Sequence, residues 1–154
     1  MSSTPIFFRI LNPMMKGILK SPFHKAVSSQ IMIITFQGAK SGKTYTTPVS
    51  YSRDDGRVYC FTHARWWMNF TSGAAVKLRI QGQDLDGYAE TVADDPERIT
   101  AGLHKHLQAV PSDARYYNVT MDANGQPNMD QVRQAAAEAV MIQISLKNPA
   151  LDQE

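Results

Sequence analysis

The segment Gly38-Ala39-Lys40-Ser41-Gly42-Lys43-Thr44 holds the residues whose types and spacing are best suited to binding a phosphate. A nucleotide-binding P-loop follows the pattern Gly-x-x-x-x-Gly-Lys-Ser/Thr and leads into a helix. Here the spacing is one residue shorter, and residues 45–49 are typical of a strand, so nucleoside triphosphate hydrolysis is disfavoured. The lysines, the serine hydroxyl and the N–H groups of a glycine-rich turn can still converge on an oxyanion. The segment therefore predicts either an anion site or a plain hairpin connection with solvated lysines.

Aromatic side chains and one histidine form a second group with chemical potential. Trp66-Trp67 follow a predicted strand and fit either a hydrophobic anchor or the wall of a pocket. Tyr116-Tyr117 lie in a turn-rich stretch, where they can pack under the connection or contact a substrate. His63 ends the same strand, and a lone histidine there is either structural or a proton donor. The pattern alone leaves both interpretations open for each of these residues.

The remaining polar candidates indicate structure. His104 and His106 are two positions apart on a predicted helix, so they cannot face one another and are expected at its surface or boundary. Cys60, the single cysteine, fits a small buried side chain on a strand and excludes an intramolecular disulfide. No His/Cys set has the spacing of a zinc site, and no Ser-His-Asp or paired-carboxylate pattern is evident. We therefore expect neither a metal nor an acid–base triad.

Charge is divided unevenly along the chain of 154 residues. Its 16 Lys and Arg nearly balance its 14 Asp and Glu, but 11 of the bases and only 2 of the acids lie within residues 1–80. Such an asymmetry predicts a region that faces anions. The basic residues are spread over predicted strands without a reading helix, which disfavours nucleic acid as the partner. With 43% hydrophobic residues the chain can bury a core, which excludes a disordered protein.

The elements that must position these residues are mostly strands joined by tight turns. Strands are predicted at 31–36, 45–52, 57–62, 76–80, 88–92 and 140–146. Asp54-Asp55-Gly56 is a strong hairpin signal, and a further turn is expected at 81–82 or 86–87. One or two helical turns are predicted at 66–71, and helices from Asp94 or Asp95 to Pro111 and at 129–139. Hairpin-connected strands with helices at the margins predict an α+β fold built on a small antiparallel barrel.

Residues 1–29 are predicted to form two short helices before a barrel domain at 30–147 and a tail at 148–154, a single domain overall. Residues 5–20 combine apolar with basic side chains, which is typical of a helix that covers the barrel or of one that lies on a membrane surface. This stretch is too interrupted to span a bilayer. The expected location is cytoplasmic, either free or peripheral to the inner face of the membrane.

Several collinear motifs make the chain resemble a known family. They are Gly38-x-Lys40-Ser41-Gly42, Thr47-Pro48-Val49, Asp55-Gly56-x-Val58 and Trp66-Trp67-x-Asn69-Phe70. Together they resemble the deazaflavin-dependent nitroreductase family over residues 21–117 and the final strand. The resemblance implies a split β-barrel of the FMN-binding type, with N-terminal and flanking helices. It also implies an oxidoreductase that uses the deazaflavin F420, or FMN as the alternative, to pass a hydride to a nitro, quinone or other unsaturated acceptor.

The same resemblance implies a coenzyme site. Lys40, Ser41 and Gly42, with Lys43 beside them, would hold the phosphate. Thr47, Pro48 and Val49 would line the ring system, and Thr62, His63 and Ala64 would present donors near its reactive part. Arg65 would add a basic contact, and Trp66, Trp67 and Asn69 would close the pocket. Tyr116 or Tyr117 would lie over the substrate, and the expected proton donors are Tyr116, Tyr117, Thr62 and His63, in that order.

A competing function is a split-barrel module that binds FMN or a hydrophobic ligand without turnover. In either case the expected partner is a small molecule. The resemblance further implies a homodimer, although a two-fold interface is not visible in one sequence.

Overall fold

The computed structural model of the chain describes residues 30–147. Within them, seven strands form one sheet: β1 (Ile31–Gln37), β2 (Thr44–Ser50), β3 (Ser52–Asp54), β4 (Arg57–Thr62), β5 (Ala74–Ile80), β6 (Gln83–Val92) and β7 (Val140–Leu146). Helix α1 (Pro96–Ala109) and helix α2 (Met129–Ala136) flank the sheet, and 3₁₀ segments lie at Arg65–Phe70 and Pro111–Asp113. No helix in residues 30–147 combines the length and the apolar character that crossing a bilayer requires.

Neighbouring strands of the sheet all run antiparallel, in the order β2-β1-β5-β6-β7-β4-β3. β2 also contacts β4, and this contact curls the sheet into a half-barrel. The turn from β3 to β4 has φ of 54° at Asp55 and 76° at Gly56, the left-handed pair that a type I′ hairpin requires. The predicted α+β antiparallel split barrel is confirmed.

The inner face of the sheet buries the larger of two apolar clusters. Met32, Ile34 and Phe36 of β1 point into this cluster and are at most 3% exposed, and Ile33 on the other face of the strand is buried as well. Phe70 of the first 3₁₀ segment packs edge-on against Phe36. Cys60 is fully buried here, as predicted, and burial raises the pKa of its thiol to about 12. This cluster fills the concave side of the curled sheet.

The outer face of β4 and β7 is covered by the two helices. Ile99, Leu103 and Leu107 form the apolar stripe of α1. They are buried against Phe61, Met141 and residues of α2. α1 begins where expected, because the Asp95 side chain accepts a hydrogen bond from the Arg98 N–H at 3.2 Å. α1 therefore packs across β4 and β7 on the outer face of the sheet.

Several predicted boundaries are wrong. The strand predicted at 45–52 is interrupted at Tyr51, which is buried and separates β2 from β3. The strand predicted at 88–92 begins at Gln83, because the turn uses Gln81-Gly82 and Gly87 lies inside β6, where a Cβ would come 2.6 Å from Ile144. The helix predicted at 129–139 ends at Ala136. The predicted helices of 1–29, the stretch 5–20 and the tail 148–154 lie outside the described residues.

Candidate functional site

The turn between β1 and β2 closes on itself through its own hydrogen bonds. The Gly38 N–H donates to the Lys43 carbonyl at 2.8 Å, and the Gly42 N–H donates to the Gly38 carbonyl at 2.9 Å. The Lys43 N–H donates to Ser41 Oγ at 3.2 Å. A Cβ at Gly38 would come 2.7 Å from that oxygen, so a larger residue there would displace the Ser41 hydroxyl. The segment is thus a defined cradle between two strands.

Some donors of this loop point away from its internal bonds. In the part of the chain that the structure describes, the N–H groups of Lys40 and Ser41 meet no acceptor. The side chains of Lys40 and Lys43 are exposed, and neither pairs with an acid among residues 30–147. Backbone N–H groups beside ammonium groups are the donor set that phosphate oxygens accept.

Asn69 ties this loop to the 3₁₀ segment. Its Oδ1 accepts a hydrogen bond from the Ala39 N–H at 2.8 Å, and its Nδ2 donates to the Trp66 carbonyl at 2.9 Å. The Trp66 ring stacks on Phe36 at 5.7 Å and is 7% exposed, so it anchors the segment in the core. A groove of about 1170 Å³ runs from Asn69 and the loop backbone along β5 and β6. Trp67, which follows Trp66 in the sequence, is half-buried.

The predicted catalytic residues His63, Tyr116 and Tyr117 come together. The His63 and Tyr116 rings stack with centroids 6.0 Å apart and planes 15° apart. Tyr117 stands edge-on to both, at 5.9 Å from His63 and 5.0 Å from Tyr116. Tyr116 is 68% exposed whereas Tyr117 is 8% exposed. The stacked pair therefore presents a flat aromatic face to solvent, supported from behind by Tyr117.

Buried hydroxyls near this cluster are already engaged. Burial, with the Asp113 carboxylate adding to it, raises the pKa of Tyr117, whose hydroxyl donates to the Phe61 carbonyl at 3.5 Å. Thr62 is 8% exposed, and its Oγ1 accepts a hydrogen bond from the Ala64 N–H at 2.9 Å. Both hydroxyls are thus held in the fold, and neither opens on solvent as Tyr116 does.

The three β2 residues that were predicted to line the coenzyme ring do not all face the same side of the sheet. Thr47 lies opposite Ile34 and is 5% exposed, so its side chain faces the inner core, and Val49 packs against the same core. Pro48 lies opposite Ile33 and points to the other side of the sheet. Of these three predicted residues, Pro48 alone directs its side chain outward. Ala64 is half-buried and precedes the 3₁₀ segment, whose first residue, Arg65, is exposed.

A polar network that the sequence did not reveal centres on His106. The expectation that His106 lies at the surface or boundary is wrong, because this side chain is 1% exposed, whereas His104 is half-buried at the boundary as expected. His106 Nδ1 lies 2.9 Å from Ser52 Oγ, and Nε2 lies 2.8 Å from Asp113 Oδ2. Because a carboxylate only accepts, His106 Nε2 donates to Asp113, and the Ser52 hydroxyl pairs with the other ring nitrogen. Tertiary structure thus assembles a Ser-His-Asp chain where none was expected.

The same network positions the segment that carries Tyr116 and Tyr117. Ser50 Oγ donates to the Asp113 carboxylate at 2.5 Å, so β2 and α1 both hold this side chain directly. β3 contributes through Ser52, which pairs with His106. Burial alone would raise the pKa of Asp113, but the hydrogen bonds from His106 and Ser50 lower it overall. No spacing of residues in the sequence signals this arrangement. Among residues 30–147, no group of His, Cys, Asp and Glu side chains could hold a metal ion.

Comparisons with known proteins agree with this architecture. Residues 19–124 match the family described as F420H(2)-dependent quinone reductase. A conserved hypothetical protein of Mycobacterium tuberculosis has a similar structure, with a TM-score of 0.56 and 17% identity over 82% of this chain and 81% of that one. A FAD-binding protein of Mesorhizobium loti has a TM-score of 0.50 and 15% identity over 82% of this chain and 90% of its own. Among curated proteins, none matches the sequence. At such identities the structural similarities show the fold.

Proposed function

The chain belongs to the F420H(2)-dependent quinone reductase family, and on that premise we propose that its acceptor is a quinone. Membership makes it a deazaflavin-dependent oxidoreductase with F420 as its coenzyme. The observation that supports a planar acceptor is the exposed, stacked pair of His63 and Tyr116, with planes 15° apart. A flat aromatic face of this kind stacks on another flat ring better than on an aliphatic substrate.

The residues present fit the coenzyme at its phosphate. The open N–H groups of Lys40 and Ser41 and the exposed ammonium groups of Lys40 and Lys43 supply donors of the right charge. Asn69 holds the loop through the Ala39 N–H at 2.8 Å, so the donors are ordered before the phosphate arrives. We assign this loop to the phosphate and the outward face at Pro48 to the ring.

F420 in its reduced form supplies the hydride, and the protein supplies position and a proton. The quinone would stack on the face of His63 and Tyr116, backed by Tyr117. A quinone that accepts a hydride must also take up a proton to become the hydroquinone. The Tyr116 hydroxyl and the His63 ring are the exposed donors of the cluster, whereas the Tyr117 and Thr62 hydroxyls are buried. We therefore assign proton delivery to Tyr116 or His63.

Coenzyme choice and acceptor choice are tested separately. Purified full-length protein is titrated with F420 and, in parallel, with FMN, following the fluorescence of each ring. We expect F420 to bind, with Lys40→Ala weakening binding about tenfold or more and Lys105→Ala leaving it unchanged. No binding of F420 at tens of micromolar, or equal effects of the two substitutions, would contradict the assignment of the phosphate.

Turnover is then measured with reduced F420 and either menadione or nitrobenzene as acceptor. The proposal expects the larger kcat/KM with the quinone. A larger value with the nitro compound would assign the site to nitro reduction instead. A homodimer and a membrane contact through residues 5–20 stay predictions, which light scattering and liposome flotation of the full chain would check.

A further inference from the structure

A second cavity, of about 720 Å³, lies on the outer face of the sheet beneath α1. α1 lies close to the sheet at this point, because a Cβ on Gly102 would come 2.6 Å from Met141 Sδ. Both residues border the cavity. Its charged lining residues are four bases and one acid, namely Arg53, Arg57, Arg98, Lys105 and Asp54. The cavity is therefore cationic, and none of its lining residues belongs to the coenzyme loop.

A buried amide provides independent evidence for a ligand. Gln143 borders the cavity and is 9% exposed. Its Oε1 accepts a hydrogen bond from Arg98 Nη2 at 2.7 Å, and because a guanidinium only donates, the amide nitrogen must face the other way. Nε2 has no acceptor among the described residues. Arg79 Nε is the one fully enclosed partnerless polar side-chain atom in that part of the chain, so Gln143 Nε2 keeps some accessible surface. An accessible amide nitrogen without a protein acceptor is free to donate a hydrogen bond to a molecule in the cavity.

The charges around this amide favour an anion. Lys105 pairs with Asp54 at 2.6 Å, so these two largely neutralise one another. Arg57 forms no ion pair with any described residue, and it lies on the same face of β4 as Tyr59, the cross-strand neighbour of Gln143. Glu90 faces Gln143 from β6, but it does not border the cavity. An anion entering the cavity would therefore meet donors from Arg57 and Gln143.

The opposite end of the cavity offers an acceptor. Ser52 borders the cavity, and its Oγ lies 2.9 Å from His106 Nδ1. A hydroxyl oxygen has two lone pairs, so at least one is left for a ligand whichever of the two atoms donates. Ser52 pairs with Tyr59, and Tyr59 pairs with Gln143, so the acceptor and the amide are separated by two strand spacings. Two spacings are about 10 Å. Tyr59 lines the cavity and stands between Ser52 and Gln143 in the strand register.

We propose that this cavity binds a small organic anion about 10 Å long, with its carboxylate at Arg57 and Gln143, an aromatic body over Tyr59 and a hydroxyl at Ser52. The site lies apart from the coenzyme loop, and its occupancy does not depend on the proposed reaction. Its ligand is recognised as an anion at one end and as a hydrogen-bond donor at the other.

The probe is 3-(4-hydroxyphenyl)propionate, which has both end groups and no reducible double bond. Binding to the full chain is measured by calorimetry and by saturation-transfer NMR. We expect Arg57→Gln and Gln143→Leu each to weaken binding about tenfold or more, because each removes a donor to a charged group. Arg133→Gln is the matched control, since that arginine is exposed on α2 outside the cavity. Arg57→Gln, which alters an exposed residue, should leave F420 affinity unchanged.

The methyl ester of the probe lacks the charge and should bind at least tenfold more weakly than the acid. Inorganic phosphate lacks the aromatic ring and should bind more weakly than the acid and the ester if that ring contributes to binding. No detectable binding of the acid at millimolar concentration would overturn the proposal. Equal loss in Arg57→Gln and Arg133→Gln, or competition of the probe with F420, would also overturn it. If phosphate binds as tightly as the acid, the proposal that the ligand carries an aromatic ring over Tyr59 is refuted.

Discussion

Replacing His106 by alanine is expected to lower the free energy of unfolding by about 3–4 kcal/mol. The side chain is 1% exposed, and both ring nitrogens have partners, Ser52 at 2.9 Å and Asp113 at 2.8 Å. Truncation removes two hydrogen bonds, each of about 1 kcal/mol net, and leaves a cavity beside the partly buried Asp113 carboxylate. For a chain of this size such a loss corresponds to a fall in Tm of about 6–16 °C.

The measurement is urea unfolding of wild type, His106→Ala and the control His104→Ala, followed by far-UV circular dichroism. His104 lies on the same helix and is half-buried. It forms no hydrogen bond or ion pair with the described residues, so we expect its replacement to cost less than about 1 kcal/mol. F420 affinity of His106→Ala should stay within about twofold at low temperature, because the loop is held by Asn69 and not by His106.

The same network predicts an acid-side loss of stability. The pKa of Asp113 is lowered in the folded protein, so its contribution is present above the pKa of the unfolded state, about 3.9, and is lost as pH falls through the lower folded value. Asp113→Asn should flatten that acid limb. The reasoning is refuted if His106→Ala costs no more than His104→Ala, or if Asp113→Asn leaves the pH dependence of unfolding unchanged.

Three further predictions concern the site. Asn69→Ala removes the acceptor of the Ala39 N–H and should raise the Kd for F420 several-fold in a fluorescence titration, with Gln134→Ala on α2 as the neutral control. Gly38→Ala places a Cβ 2.7 Å from Ser41 Oγ, so it should weaken F420 binding at least tenfold, and an unchanged Kd would show that the loop does not hold the phosphate. Tyr116→Phe should lower kcat for menadione with little change in F420 affinity if the hydroxyl delivers the proton; an unchanged pH profile of kcat would assign that role to His63.

The turn between β1 and β2 shows how far local sequence carries the site. Its glycines and lysines predicted a hairpin connection with converging donors, and the backbone does leave two N–H groups open there. A resemblance built on collinear motifs also predicted the family that residues 19–124 match. Period-2 alternation in β5 predicted its buried residues Val76, Leu78 and Ile80, because side chains of a strand alternate between faces.

The same alternation could not say which face would meet a coenzyme. Thr47, Pro48 and Val49 were assigned together to the ring, yet the structure turns Thr47 and Val49 inward and Pro48 outward. Trp66 could have been a pocket wall or an anchor, and packing on Phe36 makes it an anchor. These outcomes depend on the curl of the whole sheet, which no local pattern specifies.

The amino-acid sequence by itself determined the strands, their tight turns and the glycine- and lysine-rich composition of one loop, because neighbouring residues set φ, ψ and alternation. Only the tertiary structure decided the buried chain of Ser52, His106 and Asp113 and the amide of Gln143 locked by Arg98. The first joins residues 54 positions apart and the second joins residues 45 positions apart. Contacts at such separations arise only when the sheet closes and α1 packs across it. Local sequence patterns therefore cannot predict these hydrogen bonds.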